Sequence, residues 1–168
     1  MTRFPGEQSG PNIRLVRLGD TIAAHVRRKE SLMERPIVRS RLLLGRVAEP
    51  ATADDLPIAH DLLDTLAAHA QTCAGMAANM IGQNKRIIVF ADGNRRTAML
   101  NPQIIRREGP YQTQEGCLSL DGLRPTTRYR KITVTWQDLD LREHTKAFQG
   151  FVAQVIQHEV DHCEGIVI

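Results

Sequence analysis

The stretch His158-Glu159-Val160-Asp161-His162 decides how this 168-residue sequence is interpreted. On an α-helix, residues i and i+4 lie on one face, so both imidazoles can point at one metal ion. Glu159 then lies beside the ion, where it can take a proton from an attacking water and pass it to a leaving nitrogen. Two incidental surface histidines are the alternative. The apolar residues nearby favour instead a largely buried helix from about Gly150 to Cys163. These residues are Phe151, Val152, Val155, Ile156 and Val160.

A third ligand is needed, because a catalytic metal site usually has three protein ligands and one open position. Cys117, in the segment "QEGCLSL", is the candidate, since Gly116 lets the backbone approach an ion and a substrate closely. A small buried hydrophobic residue is the alternative role for this cysteine. Cys163 follows His162 but points about 100° away from it on a helix, so we predict that it serves in packing.

The remaining periodicities predict an α+β domain. A helical face begins near Asp54, with Thr52 or Asp54 as the N-cap. Short β-prone runs occupy residues 85–91, 97–105 and 131–136, and a turn cluster separates the first two. This order predicts mostly antiparallel strands around a central metal-binding helix.

The charge distribution predicts how the chain is divided. Residues 1–46 hold ten Arg/Lys against four acidic residues, whereas residues 47–168 hold twelve against fifteen. We therefore predict a basic N-terminal extension over residues 1–35 and a single catalytic domain over residues 36–168. The extension could make a weak ribosome contact or be a solvated flank, and we expect no DNA partner.

Cysteine usage and hydropathy predict the compartment. The three cysteines are an odd number and no apolar leader precedes them, which favours free thiols in a cytoplasmic protein. No apolar run reaches the roughly 18 residues of a membrane span, so we expect no membrane association. The sequence leaves both a monomer and a homodimer open.

Three ordered motifs give a resemblance to a known family. The segments "CAGMAANMIG" (73–82), "EGCLSL" (115–120) and "HEVDH" (158–162) resemble the signature motifs of peptide deformylases in order and spacing. The resemblance covers about residues 36–168. It implies a peptide-deformylase-like fold and hydrolysis of the N-formyl group from N-formylmethionyl peptides, with release of formate.

The resemblance also implies the metal centre. Cys117, His158 and His162 would bind one divalent ion, with Fe²⁺ expected as the native ion and Zn²⁺ or another divalent ion as the alternative. Glu159 would be the acid/base. The backbone N–H of Leu118 would donate to the oxyanion of the tetrahedral intermediate.

The substrate contacts follow from the same resemblance. Gly75 and Met76 would lie against the substrate, with Met76 lining a pocket for the methionine side chain. Arg124 keeps the distance from the cysteine at which family members hold a substrate-binding arginine. Met80 stands where the family has an oxyanion-binding glutamine, and a thioether cannot donate a hydrogen bond. Asn79 or another nearby polar group is the expected replacement.

Two other functions remain open from the sequence alone. One is a metalloamidase of the same fold that acts on a different acyl-peptide substrate. The other is a catalytically weak, metal-stabilised binding protein. The intact Glu159 disfavours the second, because a purely structural metal site has no use for a carboxylate acid/base.

Overall fold

One five-stranded antiparallel sheet organises residues 34–168, which are the residues that the computed structural model describes. Its strands are adjacent in chain order: β1 (Gly75–Ala77), β2 (Ile87–Asp92), β3 (Arg95–Cys117), β4 (Leu120–Gln137) and β5 (Glu143–Gln149). The predicted α+β class with antiparallel strands is therefore confirmed. Residues 1–33, which make up nearly all of the predicted basic extension, lie outside the described residues.

The described helices are α1 (Arg41–Leu44), α2 (Leu56–Ala68) and α3 (Gly150–Cys163), with 3₁₀ turns at Ala53–Asp55 and Ala78–Ile81. The first 3₁₀ turn leads into α2, and its N-cap is Thr52, one of the two predicted caps. The Thr52 N–H donates to Asp55 Oδ2 at 2.8 Å, which stabilises the start of the turn. Within residues 34–168, no helix combines the length and the apolarity needed to cross a membrane.

Strand β2 is buried on both faces, and this positions the two long helices. Successive side chains of a strand point to opposite faces. Ile87 and Val89 pack into the core cluster that contains residues of α2, whereas Ile88 and Phe90 pack into the cluster that contains residues of α3. Helix α3 also contacts β1 and β4, so the helix that carries the two histidines lies against the middle of the sheet.

Strands β3 and β4 form a hairpin much longer than the predicted runs. The predicted strand segments 97–105 and 131–136 are both present, but β3 continues to Cys117 and β4 already begins at Leu120. Three register shifts interrupt the pairing, the last of them between Glu115 and Cys117. The extra length places Cys117 at the end of a strand.

Asn101 ties the segment before α2 to the sheet. Its backbone is left-handed, with φ at 53°. Its side-chain Oδ1 accepts the Ala51 N–H at 2.7 Å, and its Nδ2 donates to the Ala51 carbonyl at 2.9 Å and to Gln137 Oε1 at 3.1 Å. Asparagine tolerates this conformation better than other residues that carry a Cβ.

We expect Asn101→Ala to lower the free energy of unfolding by about 2–3 kcal/mol, measured by urea denaturation. The variant leaves the buried Ala51 N–H without its partner and keeps the left-handed backbone. Asn94→Ala, in the exposed turn between β2 and β3, is the matched control and should change stability by less than about 0.5 kcal/mol. Equal stability of the two variants would contradict the role assigned to Asn101.

Candidate metal centre and active-site cleft

Three side chains that could ligate a metal converge where the end of β3 meets α3. Cys117 is the last residue of β3, and His158 and His162 are four residues apart on α3. The Cys117 Sγ lies 3.3 Å from His162 Nε2, and the three ligand atoms all lie within 4.8 Å of one another. Ligand atoms bonded to one tetrahedral ion at about 2.1–2.3 Å are roughly 3.5 Å apart, so this set could hold an ion.

The Cys117 side chain is prepared to ligate as a thiolate. Burial opposes its ionisation, but hydrogen bonds with His158 and His162 outweigh burial and lower the pKa of the Cys117 thiol to about 5. Because a metal binds the thiolate and not the thiol, this environment favours ligation at neutral pH. Cys163 differs: it is buried in the core and burial raises its pKa to about 12, which agrees with the predicted packing role.

A buried carboxylate, Glu115, orients His158. Its Oε2 lies 2.9 Å from His158 Nδ1, and the Arg128 guanidinium donates to its two oxygens at 2.9 and 2.7 Å. Arg128 also pairs with Asp161 at 2.6 Å. Burial raises the pKa of Glu115, but the bonds from His158 and Arg128 outweigh it and lower the pKa to about 2. His158 Nδ1 can therefore donate to a permanent carboxylate, which leaves Nε2 to face an ion.

The motif-based prediction assigned no role to Glu115 and Arg128. One signal for Arg128 was present in the sequence, because residues 128, 132 and 134 fall on the same face of a strand. The buried side chains of β4 include Arg128, Ile132 and Val134, so a charged residue occupies a core-facing position. Such a residue requires a buried partner of opposite charge.

Glu159 is a buried carboxyl beside the three candidate ligands. It is 4% exposed, and burial raises its pKa to about 7 despite the opposing effects of His158 and His162. Its Oε2 has no hydrogen-bond partner among residues 34–168. A carboxyl that titrates near neutral pH can both accept a proton and return it.

Gly75 makes room for that carboxyl. A Cβ at this position would lie 2.5 Å from Val155 Cγ1 and 2.9 Å from Glu159 Oε1. Any side chain on Gly75 would therefore displace Glu159 or the helix that carries it. Gly75 also lines the open cleft in front of the ligands, which is compatible with the predicted substrate contact.

A cleft of about 300 Å³ opens onto Cys117, His158 and Glu159, whereas His162 does not line it. Polar and apolar side chains are mixed along its walls. The lining residues are Thr72, Cys73, Ala74, Gly75, Met80, Gln114, Glu115, Gly116, Cys117, Leu118, Phe151, Gln154, Val155, His158 and Glu159.

Met80 lies in this cleft, at the position where the resemblance expects glutamine. Its Sδ accepts the backbone N–H of Ala77 at 3.4 Å. A thioether has no hydrogen to donate, so Met80 cannot form the hydrogen bond that a glutamine amide would donate to an oxyanion. Leu118, the predicted backbone donor, also lines the cleft.

The other predicted substrate contacts do not line the cleft. Met76 follows Gly75 on β1 and therefore points to the opposite face, where it is fully buried in the core. The Asn79 Nδ2 donates to two backbone carbonyls at 3.1 and 3.0 Å, so both of its N–H groups are already used. Arg124 Nη2 donates to the Asp121 carbonyl at 3.1 Å, beside the tip of the hairpin.

Sequence comparisons place the chain among known proteins. A family model described as "Polypeptide deformylase" matches residues 39–168. A peptide deformylase of Clostridium beijerinckii is 51% identical over 136 residues, which are 81% of this chain and 100% of that protein. A peptide deformylase of Dictyoglomus thermophilum is 37% identical over 114 residues, 66% of this chain and 72% of that protein.

Solved structures give the same relationship. The crystal structure of peptide deformylase from Thermus thermophilus matches with a TM-score of 0.70 and 34% identity, covering 79% of this chain and 82% of that one. A peptide deformylase from Acinetobacter baumannii, described as Met-Ala-Ser bound, matches with a TM-score of 0.73 and 26% identity. That match covers 80% of this chain and 97% of the other.

We expect Cys117→Ala to lower the affinity for Zn²⁺ by more than about 100-fold, because outer partners of a ligand already contribute roughly 10–100-fold. The measurement is anaerobic competition with a chelator, followed by metal analysis. Cys163→Ala removes a thiol outside the centre and is the control, with about one ion per chain retained. Equal metal content in the two variants would contradict the assignment of Cys117 as a ligand.

Proposed function

The chain belongs to the polypeptide deformylase family, and on that premise we propose the tasks of its site residues. The protein is a hydrolase that removes the N-formyl group from N-formyl peptides and uses a single divalent metal ion. One observation carries the assignment of tasks. The buried carboxyl of Glu159 lies beside the Cys117, His158 and His162 set, in a cleft that can admit a peptide.

The three ligands Cys117, His158 and His162 would hold the ion. We propose Fe²⁺ as the native ion, because one thiolate and two imidazoles suit Fe²⁺ or Zn²⁺ and the family resemblance favours iron. When bound, the ion lowers the pKa of a bound water and polarises the formyl oxygen. Glu115 contributes by fixing the ring orientation of His158.

Glu159 moves the proton in the proposed reaction. Its carboxylate takes a proton from the attacking water as the new C–O bond forms at the formyl carbon. The carboxyl then gives this proton to the peptide nitrogen as the C–N bond breaks, which releases formate and a peptide with a free amino group. A pKa of about 7 suits both halves of this transfer.

The Leu118 backbone N–H is the donor that we propose for the developing oxyanion. It directly follows Cys117, and the residue lines the cleft. Met80 has no donor, and the Asn79 amide already donates to two carbonyls. The oxyanion site is thus one side-chain donor short of the family pattern.

The proposed substrate set is smaller than the sequence predicted. We keep Gly75 as a substrate contact, because it lines the cleft next to Glu159. The similar Acinetobacter baumannii structure, which is described as Met-Ala-Ser bound, supports a tripeptide lying in the equivalent cleft. We therefore propose N-formylmethionyl peptides as substrates.

Deformylation is favoured over the other two functions by the 51% identity to a peptide deformylase across that protein's whole length. A metalloamidase with another acyl substrate and a catalytically weak binding protein have no comparable support. A cytoplasmic location is also proposed, since the free thiols of Cys73, Cys117 and Cys163 suit a reducing compartment. The weak ribosome contact through the basic extension and the choice between monomer and homodimer stay predictions.

We expect Glu159→Gln to lower kcat by about 10²–10⁴-fold with the metal retained, because the amide cannot carry the proton. The assay is formate release from formyl-Met-Ala-Ser by protein loaded anaerobically with Fe²⁺. Glu143→Gln, on the exposed part of β5, should leave kcat unchanged. Wild-type protein that binds the metal but releases no formate would remove the proposed function itself.

Met80→Gln should raise kcat on the same peptide by about tenfold or more, since one oxyanion donor typically contributes 10²–10³-fold. In this variant the glutamine Oε1 can accept the Ala77 N–H in place of the sulfur, which turns Nε2 toward the cleft. Met80→Leu removes the sulfur without adding a donor and should give no increase. A Met80→Gln variant that folds normally and is no faster than wild type would show that the missing donor does not limit turnover.

A further inference from the structure

We propose that Gln154 is a specificity-determining residue that hydrogen-bonds the first side chain of the substrate. The enzyme should therefore also deformylate peptides that begin with N-formylmethionine sulfoxide. This inference rests on the proposed function, because it takes the formyl group to be hydrolysed next to Glu159.

The position of Gln154 brings it within reach of that side chain. It lies on α3, four residues before His158, and so about 6 Å along the helix axis from this ligand. Both residues line the same cleft. In a formylated peptide only the nitrogen and the Cα separate the formyl carbon from the first side chain. With the formyl group at the centre, the proposal places that side chain against the wall of the cleft that Gln154 and Val155 form.

Two hydrogen bonds hold the Gln154 amide in one orientation. Tyr111 donates its hydroxyl to Oε1 at 3.0 Å, and Nε2 donates to Glu115 Oε1 at 2.9 Å. The Glu115 carboxylate can only accept, so a flipped amide would set two acceptors against each other. The Arg130 guanidinium lies over the Tyr111 ring, 5.2 Å from its centroid, and this cation–π contact helps to hold the ring in place.

The fixed amide leaves one donor for a ligand. Nε2 carries two hydrogens, and among residues 34–168 Glu115 is its only partner. Ala74, Val155 and Phe151, which line the same cleft, provide no side-chain acceptor. A methionine thioether is a weak acceptor, whereas a sulfoxide oxygen is a strong one on a side chain of nearly the same shape. A substrate with this oxygen would satisfy the N–H that methionine leaves unpaired.

The test compares formyl-Met-Ala-Ser with its sulfoxide, formyl-Met(O)-Ala-Ser, on Fe²⁺-loaded protein. Wild type should hydrolyse the sulfoxide peptide with kcat/KM within about tenfold of the parent. The decisive quantity is the kcat/KM for the sulfoxide peptide divided by the kcat/KM for the parent peptide. Gln154→Met should lower this ratio by about fivefold, the contribution of one hydrogen bond. Gln154→Met also removes a bond to Glu115. The resulting damage to His158 affects both peptides equally and cancels in the ratio.

The controls separate this inference from the proposed function. Gln103→Met, at an exposed position of β3, should leave the ratio unchanged. Tyr111→Phe releases the amide and should lower the ratio two- to threefold, which keeps a test available if Gln154→Met does not fold. A wild-type preference of more than about tenfold for the unoxidised peptide, or an unchanged ratio in the folded variant, would overturn the inference. If wild type hydrolyses neither peptide, the proposed function fails, and the inference is then tested by binding. The affinity of Zn²⁺-loaded protein for Met(O)-Ala-Ser is divided by its affinity for Met-Ala-Ser, and Gln154→Met should lower this ratio by about fivefold.

Discussion

The salt bridge between Glu115 and Arg128 is the interaction on which fold and site both depend. Both side chains are less than a tenth exposed, and they join β3 to β4 while Arg128 also holds Asp161 of α3. Two buried charges are costly unless each is fully paired, and loss of one partner from such a pair typically costs about 3–5 kcal/mol. Here the pairing is complete, and it fixes the strand end that carries Cys117 against the helix that carries His158.

Local patterns were enough to predict the helix and the two histidines on one of its faces. His158 and His162 share a helical face whatever surrounds them, and the apolar residues between Phe151 and Val160 identify the buried side of α3. The strand runs around Ile88 and Val134 were equally readable, and they give the α+β class. These features depend on spacing along the chain, which is visible in any single sequence.

The parts that were missed depend on contacts between distant segments. Residues 106–117 look like a polar connection that contains Gly109 and Pro110, yet pairing with β4 makes them strand. On β1 neighbouring residues face opposite sides of the sheet, so Gly75 lines the cleft whereas Met76 lies in the core. The Asn79 amide donates to carbonyls at the C-terminal ends of α1 and α3. These segments are far apart in the sequence, so no local pattern predicts the contact.

Gln154 both lines the cleft and donates a hydrogen bond to Glu115. The residue that faces the ligand space also supports the carboxylate that orients His158. A mutation that reshapes this wall for another peptide is therefore pleiotropic, because it also removes a hydrogen bond from the carboxylate that contacts His158. A change at this position therefore alters the contacts of Tyr111 and Glu115 together with the shape of the cleft.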